Sequence, residues 1–387
     1  MNFILFYGQI ESLNHFTDEL VNQFQQMGHN TYLLDWNDPE KIRRINFQNL
    51  NNFDAAVCYD CIGTLSNSGM TDIWKIPVIN ILMDHPMNLG YCMRNPPQKY
   101  IQLSPDENHV LYAKRFFGIN NTFFFPHMAS TKSQFKRIPI ENRTIGVLFP
   151  GSMDSCNEMY REIKEQWPEG DMRLLALETM EYLTCNPSST LEDAVELCLK
   201  ERSGIIFSDQ SIATFLEYSK KIDLFIRMYF RSRVVRAVAD TGVPVTIIGG
   251  GWDKFWKEKP RNVTVLSGTS FSGVFSYMEQ AKITLTVMPW FKAGTHDRNF
   301  NALMHYSCPL TDTSSWMVKN FEPDKECAYY SLERLDELSH IVYRLFNHPE
   351  LQERIVENGR EKVEKCYTSR QAAEGILHYL KECYGTG

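Results

Sequence analysis

The chain has 387 residues, of which 43% are hydrophobic, 13% aromatic and 22% charged, an ordinary globular make-up that excludes a disordered or fibrous protein. Forty Lys and Arg against 47 Asp and Glu give a net charge of −7, and with no basic block able to track a phosphate backbone, nucleic acid is not an expected partner. The length suits two domains with a cleft between them.

Met1 to Tyr7 is apolar but lacks a basic flank and a small-residue cleavage site, and no run approaches the roughly 20 apolar residues of a transmembrane segment. The expectation is a cytoplasmic protein. Ten cysteines without regular spacing fit reduced thiols, and the one CxxC, Cys58 to Cys61, reads as two thiols near a strand end.

In chain order, the apolar run Phe3 to Tyr7 ends at Gly8, and Phe16, Leu20, Phe24 and Met27 follow at helical spacing. Gly28 closes that helix and Thr31 to Leu34 starts a second strand, completing a β-α-β unit. Ala55 to Tyr59, Val78 to Met83 and Thr122 to Phe125 are further strands, apolar on both faces, as a parallel sheet covered by helices requires. A second α/β unit starts at Thr144 to Phe149, so the domain boundary falls between Phe135 and Arg143. Asn157 to Ala239 is largely helical. Strands return at Val243 to Ile248, Val263 to Leu266 and Ile283 to Met288, and Leu335 to Phe346, Leu351 to Cys366 and Ser369 to Cys383 are helices. The division is an N-terminal Rossmann-like domain over 1–140, a C-terminal one over 141–366 with a helical region 157–239, and a terminal helix in 367–387.

Such a pair of domains serves several chemistries, so individual residues must choose among them. Gly249-Gly250-Gly251 follows a strand, but the spacing is not GxGxxG and Trp252 stands where a small residue would let a helix close on phosphates, which argues against a nicotinamide site. The informative stretch is Phe291 to His305. Phe300, Leu303 and Met304 share one helical face, which starts the helix near Thr295 to Asp297 with a hydroxyl or carboxylate cap. Gly294, Thr295 and His296 then sit at a helix start beyond a strand's carboxyl end. That is an anion site, to which Arg298 adds a bidentate donor. Lys292 is a second candidate there. Asp84 and His85 end another strand, where a carboxylate beside an imidazole supplies a base and its orienter. His127 ends a third strand and His15 lies on the first helix. Asp35 and Asp38 read as a turn, and no carboxylate pair suits a metal-held diphosphate. Tyr229, Arg231 and Arg233 read as a solvated or salt-bridged helix face.

The segments Ala281-Lys282-Ile283, Gly294-Thr295-His296-Asp297-Arg298-Asn299-Phe300-Asn301-Ala302 and Leu310-Thr311-Asp312 together resemble the C-terminal signature of the CgeB-like (spore maturation protein) glycosyltransferases. Asn358-Gly359-Arg360, Tyr367 to Arg370, and Arg231 with Gly249-Gly250-Gly251-Trp252 fit the same pattern. Asp84-His85-Pro86, Asp106 to His109 and Phe125-Pro126-His127 are similar to the family's N-terminal domain. The resemblance implies a GT-B fold, two Rossmann-like domains facing each other across a cleft with the helical insertion in the C-terminal one. It implies transfer of a sugar from a nucleoside-diphosphate sugar to a protein, glycan or cell-surface polymer, with no metal and no cofactor beyond that co-substrate. His85, Asp84 and Arg298 become the catalytic candidates. Gly250, Gly251, Trp252, Lys292, Gly294, Thr295, His296, Asp297, Arg298, Asn301 and Asp312 become donor-binding, and Gly8, His15 and His127 acceptor-side. One departure is Asn301, where many relatives carry Glu. Two alternatives are a nucleotide-sugar 2-epimerase of the same fold and a non-catalytic nucleotide-sugar or glycan-binding partner of another transferase.

Overall fold

The computed structural model describes residues 1–40, 50, 52–63, 74–131, 137–167, 170–204 and 207–385. The chain forms two compact units, Met1–Gln134 with Lys362–Gly387, and Phe135–Glu361. The Phe135 end of the expected boundary lies outside the described residues.

The first unit is built on a six-stranded parallel sheet of β1 (Asn2–Tyr7), β2 (Asn30–Asp35), β3 (Ala55–Tyr59), β4 (Val78–Ile81), β5 (Tyr100–Ser104) and β6 (Thr122–Phe124), in the order β2-β1-β3-β4-β5-β6. Strands β3, β4 and β5 are buried along their whole length, as helices on both faces demand. The helix Glu11–Gln26 buries Leu13, Phe16, Leu20 and Phe24, the helical stripe expected there. Its outer neighbour is the helix Ser369–Tyr384, whose Tyr379 stacks on Phe123 at 4.3 Å and whose Tyr384 hydroxyl donates to the Tyr100 carbonyl at 3.2 Å.

The second unit holds β7 (Ile145–Pro150), β8 (Val245–Ile248), β9 (Val263–Leu266), β10 (Ala281–Thr286), β11 (Cys308–Asp312) and β12 (Ala328–Tyr330), all parallel, in the order β12-β11-β10-β7-β8-β9. The strand order reverses between β7 and β10, and such a switch point leaves a crevice beyond the carboxyl ends. Between β7 and β8 the chain runs through five helices, Cys156–Gln166, Asp171–Cys185, Leu191–Ser203, Asp209–Tyr218 and Lys220–Ala239. The last of these buries Phe225, Phe230, Val234, Val235 and Val238 and leads into β8.

Strands β5, β11 and β12 were not anticipated. In β5, Gln102 and Ser104 interrupt the apolar run, yet both are fully buried because Tyr100, Gln102 and Ser104 hydrogen-bond in series along one face. In β11, Pro309 occupies an interior strand, a place proline ordinarily avoids. No helix among the described residues is long and apolar enough to cross a membrane.

Candidate functional site

The carboxyl ends of β7 and β8 interlock. The Gly151 and Met153 N-H groups donate to the Ile248 and Gly250 carbonyls at 2.8 and 2.9 Å. A Cβ on Gly249 would stand 2.5 Å from the Gly151 carbonyl oxygen and one on Gly251 only 1.8 Å from that of Met153, and both residues have positive φ. The glycines are therefore required by backbone against backbone. Trp252 is fully buried against Phe149 and Phe255 and donates its indole N-H to the Gly151 carbonyl at 2.7 Å. This corrects the expectation for Gly250, Gly251 and Trp252: they brace the turn from behind, and only Gly249 of this stretch faces the open side.

That side is a cavity of about 210 Å³ lined by the turns after β7, β8 and β9 and by the helix Asp297–Met304. Its apolar wall includes Ile248, Phe271, Phe275 and Met278, and its polar wall includes Ser152, His296, Asp297, Arg298 and Asn301. The helix begins as expected, but its cap is an imidazole. His296 Nδ1 accepts the Arg298 N-H at 3.2 Å and lies 2.6 Å from Asp297 Oδ1. A single nitrogen thus serves both the helix cap and the Asp297 contact.

Arg298 reaches the cavity and forms no ion pair with a carboxylate among the described residues. Glu279, a conceivable surface partner, lies instead 3.5 Å from His305. Burial lowers the Arg298 pKa, only partly opposed by Asp297. A second guanidinium stands nearby. Arg231, read from sequence as part of a solvated face, is deeply placed behind Gly151, donates to the Ser152 carbonyl and has its Nε without a hydrogen-bond partner. Burial, then Arg298, then Arg227 push its pKa down to about 9. The correction has a physical cause: Arg231 is enclosed by the turn after β7, roughly 80 residues earlier in the chain, which helical periodicity does not reveal. Arg233 does match the expectation, exposed and donating to the Tyr229 hydroxyl at 2.8 Å. Two like charges held together half-buried, neither in ion-pair contact with a carboxylate among the described residues, form a site prepared for an anion.

Other expected donor residues support this edge from within. Gly294 and Thr295 are buried. The Gly294 carbonyl accepts from Ser314 at 2.6 Å and the Thr295 hydroxyl from Asn299 at 3.2 Å. Asp312 is buried at the end of β11, accepts the Met288 N-H at 2.8 Å, and burial pushes its carboxyl up to about 7. Lys292 donates to the Pro187 carbonyl and does not line the cavity. This corrects its assignment: its ammonium fastens the helical region to the loop.

In the first unit, Asp84 and His85 diverge. His85 is buried, caps the short turn Pro86–Leu89 by accepting the Met87 N-H on Nδ1 at 3.1 Å, and packs edge-on to His109 and Tyr112 at 4.5 and 4.8 Å. The capping group is thus the imidazole and not the carboxylate. Asp84 is half-buried and close enough to Asp60 to help raise its pKa, which burial above all takes to about 7. Gly8 is locked by Asn14 and Asn37. His15 joins Ser130 at 2.7 Å, and Ser130 donates to the buried Glu19 at 2.8 Å. His127 is buried beyond β6. Cys58 and Cys61 both contact Asn80, and a bond to Cys92 together with burial pushes the Cys61 thiol up, away from reactivity.

Residues 231–378 match the profile of the glycosyl transferase-like family, a segment that opens on Arg231 and includes Arg298. Three solved structures share the architecture. Sucrose-phosphate synthase from Thermosynechococcus elongatus aligns over 100% of both chains at 8% identity with a TM-score of 0.60. T4 phage BGT in complex with its UDP-glucose substrate aligns over 100% of both at 10% identity and 0.55. AviGT4, a glycosyltransferase involved in avilamycin A biosynthesis, aligns over 100% of this chain and 99% of its own at 10% identity and 0.55. The fold is GT-B. No curated protein sequence matches the chain. At these identities the structures establish a GT-B architecture of two parallel-sheet units, and the family profile covers the second unit from residue 231 onward together with part of the helix Ser369–Tyr384 of the first.

Proposed function

We propose that this chain is a glycosyltransferase of the CgeB-like type. It binds a nucleoside-diphosphate sugar in the cavity of the second unit and passes the sugar to a protein, glycan or cell-surface polymer. The observation that carries this reading is the convergence of Arg231 and Arg298, neither in ion-pair contact with a carboxylate among the described residues, at the start of the helix Asp297–Met304. As the bond between the anomeric carbon and the diphosphate breaks, the electron pair leaves on phosphate oxygen. Two fixed guanidiniums and the positive end of the helix stabilise that charge at the moment it appears. They supply what a divalent ion supplies elsewhere, so transfer is metal-independent. The apolar wall suits a nucleobase. The first unit, with Asp84 and His85 beyond a strand end and His15 on its first helix, is assigned the acceptor. None of the ten cysteines is in a disulfide, which fits work in the cytoplasm.

A thermal-shift panel of nucleoside diphosphates and their sugars tests the reading, because a ligand of the folded state raises stability by RT ln(1 + [L]/Kd). One base is expected to raise Tm with its diphosphate and its sugar conjugate, with and without EDTA. A flat response across the panel refutes the donor site.

A further inference from the structure

The second unit carries its charge unevenly. Residues 156–203 hold eleven Asp and Glu against five Lys and Arg. The end of the helix Lys220–Ala239 and the loop between β8 and β9 reverse the sign: Arg233, Arg236, Lys254, Lys257, Lys259 and Arg261 are all exposed, interleaved with three acids, Asp240, Asp253 and Glu258. The two segments form one surface. Asn262 at the loop's end donates its Nδ2 to the Ala239 and Val243 carbonyls, both at 2.8 Å, and the Arg236 guanidinium lies 5.1 and 5.7 Å from the ring centres of Phe255 and Trp256 in the loop. Arg233 is held likewise over Tyr229 at 5.4 Å. None of the six cations is ion-paired with a carboxylate among the described residues. Guanidiniums held over rings and left without a carboxylate are set to take an anion from outside. A charged guard on an exposed strand ladder does not account for them, because β9 is the edge of this sheet and Val263–Leu266 itself carries no charge.

Charge complementarity calls for a polyanion, and the kinds of polyanion differ in what else they need. A bilayer needs apolar side chains to insert, and no large apolar side chain between residues 225 and 317 is exposed among the described residues. Single-stranded nucleic acid needs open ring faces for its bases, whereas Phe255 and Trp256 are half-buried, packed edge to face at 4.7 Å and covered by Arg236. A duplex needs an unbroken basic track, which the three interleaved acids interrupt. An acidic glycan needs only spaced cations, since each of its carboxylates or phosphates is met singly by an Arg fork or a Lys. Resting on the transferase reading above for its purpose but not for its binding, we infer that this surface anchors an acidic glycan, so that the acceptor is a polymer whose sugars carry carboxylate or phosphate groups. The loop opens on Gly249, which lines the donor cavity, so the anchored stretch runs along the same end of the sheet as the donor. The hydroxyl that reacts stays assigned to the first unit; the surface holds a stretch that does not react.

The test is binding to the full chain without nucleotide. Fluorescence anisotropy follows labelled polygalacturonate, phosphorylated dextran, plain dextran, and single- and double-stranded oligonucleotides, and co-sedimentation follows phosphatidylglycerol vesicles. At least one acidic glycan is expected to bind and plain dextran is not, with affinity falling roughly tenfold or more between about 50 and 200 mM salt, as several ionic contacts require. Lys254→Glu with Lys257→Glu is expected to weaken that binding on the order of tenfold, with the thermal melt and nucleotide binding unchanged. Lys319→Glu with Lys365→Glu, at two exposed lysines elsewhere, makes the same change in net charge and is expected to leave glycan binding intact. If the loop variant does not fold, Lys254→Gln with Lys257→Gln takes its place. Binding to neither acidic glycan overturns the inference, as does binding that survives the loop substitutions or falls equally with the control pair. Tighter binding of an oligonucleotide or of the vesicles overturns it too, by giving the surface to another partner. The donor site is untouched by these outcomes. Conversely, a flat nucleotide panel beside intact glycan binding removes the transferase reading and leaves the surface standing as a glycan-binding one.

Discussion

The two units repeat one plan with opposite chemistry. Each is a six-stranded parallel sheet, and each carries a carboxyl at a strand's carboxyl end that accepts an N-H from just beyond the neighbouring strand: Asp60 from Met83, and Asp312 from Met288, both at 2.9 Å or less. Burial lifts both carboxyls to about 7. Around this shared strut the decoration diverges. The second unit gathers Arg231 and Arg298 at its strand ends, whereas the first gathers Asp84, His85 and His109. On a common scaffold, the difference in charge between the two edges thus rests on a few residues beyond the strands.

The sharpest way to break the contrast is to remove the charge that defines the second unit. Arg298→Ala is expected to lower turnover by about 10²- to 10³-fold, the cost of deleting one preorganised donor, while a thermal melt shows the fold retained. Full activity in that variant removes Arg298 from the machinery.

The shared strut predicts a response common to both units. A carboxyl that titrates near 7 when folded and at 3.8 when unfolded holds its proton more tightly in the folded chain. Its contribution to stability is therefore complete below about pH 4 and is lost as pH rises toward 7. Between pH 5 and 8 each carboxyl costs about 2 to 3 kcal/mol by linkage. Asp60→Asn and Asp312→Asn retain an oxygen acceptor without the charge, so each is expected to raise Tm more at pH 8 than at pH 5. A pH-independent effect in one of the pair would show that the two struts are not equivalent.

The smallest effect sharpens the contrast within a single helix. Arg233→Ala, at an exposed guanidinium bonded to Tyr229, is expected to change stability by less than about 0.5 kcal/mol in denaturant titration and to leave nucleotide binding unaltered.

Much of this was legible in the residues. Apolar runs located most strands of both sheets, and the stripe of Phe300, Leu303 and Met304 placed the helix start that carries Arg298. What escaped were features set by distant partners. Gln102 is tolerated inside β5 only because Tyr100 and Ser104 bond to it. Arg231 looked like surface because the turn that encloses it belongs to β7. Gly251 looked like part of a ligand loop because a glycine demanded by close packing of two turns has the same spelling as one demanded by a phosphate. His85 capping its own turn gives no signal that distinguishes it from a base.

The path of the chain through the first unit bears on its birth at the ribosome. Residues 135–361 are continuous, so the second sheet can close as soon as that stretch has emerged. The first unit must wait, because the helix Ser369–Tyr384 that covers Glu11–Gln26 is made after the whole of the second unit. Folding during synthesis therefore runs against the usual N-terminal-first order, and the apolar flank of the opening helix stays uncovered until the second unit has been made.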